Sequence, residues 1–335
     1  MGKHVQLREF LERTFSEAGG RLSFENFMAA ALYDPEFGYY TTNISDVGGS
    51  RADFSTWATL ADLGRPVARW IQEEITCHDW ADQRVSLIEI GGGDGSLAHS
   101  VLKSLGWRNR RKLDYHIVDI SPPLREQQAD RLKGRKIHWH ESIDSALDQA
   151  GGKAILFSNE LVDAFPVRWL QWNGTDWFEI FVNYSPETGL KEEFLPCRDN
   201  APTWPSPPPG QRIEVHDSYL RWLDSWLPEL QQGSLLTIDY GGISVEEIYG
   251  GHCAGTMRGY FRQQRIDKGG IYQRFGTQDL TCDVDFSKLV EHGEAHKIET
   301  VRLENQLNFL HRYEASSIPS TEAAERFYVL HQRKR

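Results

Sequence analysis

Cysteine is scarce in this sequence: Cys77, Cys197, Cys253 and Cys282 are scattered along the chain, with no CxxC pair and no histidine at zinc-finger spacing. Neither a disulfide framework nor a bound metal is expected, and a reducing cytoplasm is the expected compartment. Long apolar runs are also missing; none approaches the ~20 residues needed to span a bilayer. The opening stretch MGKHVQLREFLERTFSEAGG contains Glu9, Glu12 and Glu17 and no apolar core, so it reads as neither a secretory signal nor an acid-poor transit peptide. Positive charge is in deficit, with Lys+Arg 37 against Asp+Glu 48 and a formal net charge of −11. A field of that sign opposes polyanions, which argues against a nucleic-acid partner and favours a cationic one. No GKS or GKT follows a glycine cluster, so a P-loop is excluded.

What is present is ordinary for a globular chain, with 39% hydrophobic and 25% charged residues. Residues 1–80 read as a helical N-terminal region. An apolar stripe of Val5, Leu7, Phe10, Leu11 and Phe15 predicts a first helix. Leu22–Leu32 predicts a second, capped by Ser23 and stopped near Asp34-Pro35. Gly48-Gly49-Ser50 reads as a flexible break before a helix over Leu60–Thr76. From residue 81 the pattern changes. Val85–Ile90, Tyr115–Ile120, Ile137–Trp139, Ala154–Ser158 and Ser234–Asp239 are short apolar runs, with helical stretches at Ser96–Leu105 and Leu124–Leu132 between the first of them. This alternation predicts an α/β domain over 81–335 with a mostly parallel sheet covered on both faces. Insertions fall at about 169–232 and 250–282. The first contains a hairpin at Trp169–Val182 around Asn173-Gly174 and the proline-rich loop Thr203–Gly210. The basic runs Arg108–Lys112 and Gln332–Arg335 read as solvated helix ends.

The chemistry is expected at three places. Ile88-Glu89-Ile90-Gly91-Gly92-Gly93-Asp94-Gly95 follows a buried strand and opens a helix. Glycine there lets the backbone turn sharply and approach a ligand that any Cβ would exclude. A dinucleotide GxGxxG would need glycine at 96, which is Ser96; the spacing that fits is ExGxGxG through Glu89, Gly91, Gly93 and Gly95. That loop resembles the first-strand loop of S-adenosylmethionine-dependent methyltransferases. Asp119, at the end of the next strand, is placed to accept ribose hydroxyls. The third place is Ser158–Val167, SNELVDAFPV, at the end of the fourth strand, where Asn159, Glu160 and Asp163 cluster. Glu160 and Asp163 would share one face of a helical turn, two carboxylates suited to a cationic or hydrogen-bond-donating acceptor. Other features carry less. His138 and His140 share a strand face but suggest no third ligand, and so read as edge-strand residues. Trp169, Trp172 and Trp177 read as hairpin and core packing, and Arg258 as a solvated loop arginine.

Six blocks in order carry a wider resemblance. Phe24–Met28 with Ala31–Pro35 and Gly38–Tyr40, the glycine loop, SNELVDAFPV, IDYG at Ile238–Gly241, GTMRGY at Gly255–Tyr260 and DLTCDVDF at Asp279–Phe286 resemble the MidA/NDUFAF7 family of S-adenosylmethionine-dependent methyltransferases. The resemblance implies a class I, Rossmann-like methyltransferase fold with a helical N-terminal extension and insertions. It implies S-adenosyl-L-methionine as cofactor, held by Glu89, Gly91, Gly93, Gly95, Asp119 and Asn159. It also implies a protein arginine as methyl acceptor, with Glu160 and Asp163 beside it, and a link to complex I assembly. Where the family has Gly-Asp-Phe before a Ser-Pro-Glu-Ile-Ser segment, this chain has Ala52-Asp53-Phe54 and Trp57–Ala61. A small-molecule methyltransferase and a non-catalytic assembly factor of the same fold are the alternative readings.

Overall fold

Residues 3–44, 63–199, 202, 204, 206–262, 264–313 and 326–335 are described by the computed structural model. The Gly48-Gly49-Ser50 break, Ala52–Phe54, Trp57–Ala61 and the expected start of the helix at Leu60 lie outside the described residues. The chain packs into two units of three segments each. One joins Met1–Asn43, Ala164–Tyr219 and Ser244–Asp283; the other joins Ile44–Asp163, Leu220–Ile243 and Val284–Arg335. The expected division at residue 80 thus gives way to an interleaved one.

The second unit is built from alternating strands and helices: α1 (Gly64–Cys77), β1 (Val85–Ile90), α2 (Ser96–Ser104), β2 (Leu113–Val118), α3 (Pro122–Arg131), β3 (Ile137–His140), α4 (Ile143–Ala150) and β4 (Lys153–Asn159). After an excursion through the first unit come α5 (Asp217–Trp226), β5 (Gln232–Gly242), α6 (Phe286–Ala295), β6 (Glu299–Asn305), α7 (Gln306–Tyr313) and β7 (Phe327–Lys334). Among the described residues the strand order is β6-β7-β5-β4-β1-β2-β3, with short Val284–Asp285 pairing alongside the end of β5. β5, β4, β1, β2 and β3 run parallel to one another; β7 is antiparallel to both β5 and β6. The parallel strands are continuous apolar runs because both their faces are covered. Leu87, Ile117, Ile155, Phe157 and Ile238 from the strands meet Val67, Trp70 and Ile71 of α1 and Ala98 and Val101 of α2 in one core. Each such aliphatic side chain contributes roughly 1.5–3 kcal/mol by leaving water.

Every strand predicted from the apolar runs is present, with ends moved by a few residues. β2 stops at Val118, which leaves Asp119 and Ile120 beyond the sheet. The C-terminal basic run is a correction. Gln332–Lys334 lie in β7, not at a helix end, and Arg333 makes a bidentate pair with the buried Glu74 of α1, Nη2 to Oε1 at 2.7 Å and Nε to Oε2 at 2.9 Å. Its charge is spent inside the fold, so it does not mark a solvated end.

The first unit opens with a helix over Lys3–Glu17 that buries Phe10, Leu11 and Phe15. A second helix, Phe24–Tyr33, starts where the Ser23 hydroxyl accepts the Asn26 amide hydrogen. The predicted hairpin is present as Arg168–Trp172 and Trp177–Ser185, and among the described residues it grows into a five-stranded antiparallel sheet. Trp169 and Trp177 are buried in it. A three-stranded sheet over Arg258–Phe261, Gln264–Ile266 and Asp279–Thr281 completes the unit. Arg258 is a second correction: it is buried, and its Nη1 donates to Asp283 Oδ1 at 2.7 Å and to the Thr256 carbonyl at 2.8 Å. Among the described residues no helix is long and apolar enough to cross a membrane.

Candidate functional site

The glycine loop sits where β1 hands over to α2. Gly91, Gly93 and Gly95 have φ of +70°, +51° and +81°, the left-handed region in which L side chains are strained. A Cβ on Gly91 would come within 2.9 Å of Leu161, whereas one on Gly93 would meet nothing within 4 Å. Gly91 therefore packs against the chain leaving β4, and Gly93 turns a bare stretch of backbone to open space. The Gly91 amide donates to the Val118 carbonyl, which ties the loop to the end of β2.

Three acids surround this loop. Glu89 is wholly enclosed, and the Tyr115 hydroxyl donates to its Oε2 at 2.7 Å. Burial pushes its carboxyl up to about 8. Asp119, also buried, accepts the Ser121 amide at 2.9 Å on Oδ1 and the Gln128 side-chain amide at 2.8 Å on Oδ2; burial lifts it to about 6. Asp94 Oδ2 is held by Arg131 at 2.7 Å. Gln128, on α3, is the residue that sequence reasoning missed. Its Nε2 bridges the Gly93 carbonyl and Asp119, and its Oε1 accepts from Trp139 Nε1 at 3.1 Å. One side chain thus fixes the glycine loop against the second-strand acid. Ile120, the next residue after Asp119, is 51% exposed and offers an apolar face beside that acid.

The turn after β4 lies across the same strand ends. Asn159 closes β4, and its Nδ2 donates to Glu160 Oε1 at 3.1 Å. Glu160 has φ +50°, a conformation that costs a non-glycine residue about 1–3 kcal/mol. The surrounding bonds impose it. The Glu160 amide donates to the Ile238 carbonyl, and a single oxygen of buried Asp239 accepts the amides of Leu161, Val162 and Asp163 at 3.1, 2.9 and 3.2 Å. Burial, followed by the nearby charges of Asp163 and Glu160, drives the Asp239 carboxyl well above its ordinary value. Asp163, buried in a short 3₁₀ turn, accepts the Tyr240 hydroxyl proton. Asp239 and Tyr240 were visible only as part of IDYG; that an acid would hold this turn was not legible. The glycine loop, Asp119 and the Asn159–Asp163 turn all stand at the carboxyl ends of adjacent parallel strands, where open α/β sheets bind ligands.

His138 and His140 do sit on the edge strand, but a third imidazole joins them. His116 Nδ1 lies 3.0 Å from His140 Nε2 and its ring stacks on His138. Burial pushes His116 down to about 4, so its ring is neutral within the stack.

A sheet of this order, with a glycine loop after its first strand and an acid after its second, defines a class I S-adenosylmethionine-dependent methyltransferase. The chain belongs to the family described as "Putative S-adenosyl-L-methionine-dependent methyltransferase", whose model matches residues 66–303, and S-adenosyl-L-methionine is its cofactor. It is 28% identical over 307 residues to "Protein arginine methyltransferase NDUFAF7, mitochondrial" of Danio rerio, covering 81% of this chain and 68% of that protein. It is 28% identical over 311 residues to the Drosophila melanogaster homologue of that name, covering 82% of this chain and 66% of the relative. The chain therefore spans about two thirds of these relatives' length. A Burkholderia thailandensis protein crystallised with S-adenosyl-homocysteine shares the fold, with a TM-score of 0.84 at 24% identity over 98% of this chain and 92% of that one. Both curated relatives are named as mitochondrial, which overturns the cytoplasmic expectation. Free cysteines report a reducing milieu and do not distinguish one reducing compartment from another.

Proposed function

We propose that this chain transfers a methyl group to an arginine side chain of a protein. The observation that carries the reading is the strained Glu160 at the end of β4, held with Asp163 in a turn pinned by Asp239. The names of the curated relatives support the acceptor class. So does the net charge of −11, which favours a cationic substrate.

The residues present fit the cofactor. Gly93 leaves open backbone that a side chain would otherwise occupy, and Asp119 is a buried acid with an exposed apolar neighbour in Ile120. In this reading Asp119 would accept the ribose hydroxyls, and the backbone of Gly91, Gly93 and Gly95 would hold the amino-acid end. Glu89 supports the loop from β1, and Asn159 borders the reacting centre. The bound cofactor supplies an electrophilic methyl on a sulfonium, so the protein's work is alignment. A guanidinium has a pKa above ~12 and arrives charged. Glu160, steadied by Asn159, accepts its N–H hydrogens and offsets its charge; Asp163 orients it from the next turn. Glu160 then takes the proton that the nitrogen releases on methylation.

The test supplies labelled S-adenosylmethionine and arginine-bearing protein or peptide acceptors, followed by amino-acid analysis. Label in methylarginine is expected, and Glu160→Gln should lower turnover about a hundredfold while leaving cofactor affinity nearly unchanged. Label in a small metabolite or in lysine would refute the acceptor assignment, and full turnover by Glu160→Gln would refute the role of that residue.

A further inference from the structure

Away from the strand ends, two helices of the second unit bring together side chains that the reaction above does not use. α5 carries Asp224. α6 carries His292, and His296 follows one helical turn later at its C-cap. Residues at that spacing share a helix face. Both imidazoles are directed at the same oxygen: Nε2 of His292 lies 2.9 Å and Nε2 of His296 lies 2.7 Å from Asp224 Oδ1. The two rings are 4.8 Å apart between centroids, and one ligand atom from each of the three residues lies within 4.8 Å of the others.

The contacts are not equivalent. His296 makes a hydrogen bond to Asp224. His292 does not: its Nε2 is shut off from solvent and has no hydrogen-bond partner among the described residues, despite its proximity to the carboxylate. A buried polar nitrogen left in this way is costly and asks for an explanation. A cation seated among the three groups would take up that lone pair and relieve the crowding on one carboxylate oxygen.

We propose that Asp224, His292 and His296 bind a divalent transition-metal ion, with Zn²⁺ the best match. Two imidazole nitrogens and one carboxylate oxygen form a borderline donor set suited to zinc, whereas calcium and magnesium prefer oxygen alone. Donors bound tetrahedrally at ~2.0–2.2 Å from zinc stand about 3.4 Å apart. Loading therefore requires the nitrogens to back away from Oδ1 by roughly half an ångström. The Asp224 side chain is 49% exposed and free to make that adjustment, while His292 and His296 are 16% and 28% exposed. The exposed acid provides the entry path, and the fourth coordination position is left to water. The ion ties α5 to α6. The histidines of the β2–β3 stack differ in this respect: His116 and His138 lie ring on ring and do not converge on one point.

The experiment strips the full chain with a chelator and titrates Zn²⁺ against a chromophoric competitor. Wild type, Asp224→Asn and His296→Ala are compared, with circular dichroism and melting curves recorded in EDTA to confirm that each is folded. Asp224→Asn keeps the shape and hydrogen-bonding capacity of the side chain, so it guards against loss of fold. One zinc per chain is expected in the wild type, at micromolar affinity or better, and about thirtyfold weaker or more in each variant. Zinc should also raise the melting temperature of the wild type and of neither variant. Absence of zinc uptake by the wild type would overturn the proposal, as would variants that bind zinc within about threefold of it, since the ion would then sit elsewhere.

Discussion

Two glutamates buried in the same unit have carboxyl groups moved in opposite directions. Glu74, on α1, is fully enclosed, and burial alone would raise it. Instead the nearby His331 imidazole, 3.3 Å away, and the two hydrogen bonds from Arg333 hold it down to about 2. Glu89, near the end of β1, is equally enclosed but among the described residues takes a side-chain hydrogen bond from the Tyr115 hydroxyl alone, and burial carries it up to about 8. The first acid is neutralised by its own chain and serves the fold. The second stands beside Asp119, which follows the adjacent strand and is also raised by burial. A buried carboxylate that the fold has paired with a cation marks architecture; one raised by burial and given no cationic partner among the described residues is a candidate for a site.

The sharpest way to break this contrast is to remove Arg333. Arg333→Met leaves Glu74 buried without its bidentate partner and should cost about 3–5 kcal/mol, read as a lower denaturant midpoint at pH 7. Because the Glu74 carboxyl lies below its unfolded value of 4.5, its stabilisation is present above that pH and is lost as pH falls toward 2. Glu89 has the opposite sign. Its folded-state value lies above the unfolded one, so stability declines as pH rises from about 4.5 to about 8, and the penalty is complete above that. Glu89→Gln should remove this decline and gain about 4–5 kcal/mol at pH 9 relative to wild type, with no gain at pH 4. A smaller effect is expected at Gln128. Gln128→Ala severs the link between Gly93 and Asp119 and should weaken cofactor binding about fivefold to tenfold, as measured by calorimetry.

The parallel half of the sheet was legible because its signals are local. An apolar run, glycines at fixed spacing and a following helix specify β1, the loop and α2 within twenty residues of sequence. Asp119 was legible for the same reason. β6 and β7 were not: FYVLHQRK ends in charge, and the groups that neutralise it, Glu74 above all, lie far away in sequence. Gln128 is an unremarkable residue within a helix until α3 packs it over the loop. The turn at Glu160 was located as an acidic cluster, but its strain and its dependence on Asp239 arise from β5, 77 residues downstream of Val162. Asp224 and His296 are likewise 72 residues apart, a pairing that only packing creates.

The central claim is that the Gly91–Gly95 loop and Asp119 hold S-adenosylmethionine, and calorimetric titration of the purified chain tests it most directly. One-to-one binding in the micromolar range, about −8 kcal/mol, is expected, abolished by Gly93→Arg and weakened about thirtyfold by Asp119→Ala, with both variants folded. A folded wild-type protein that binds no S-adenosylmethionine, or a Gly93→Arg variant that binds it as well as wild type, would contradict it.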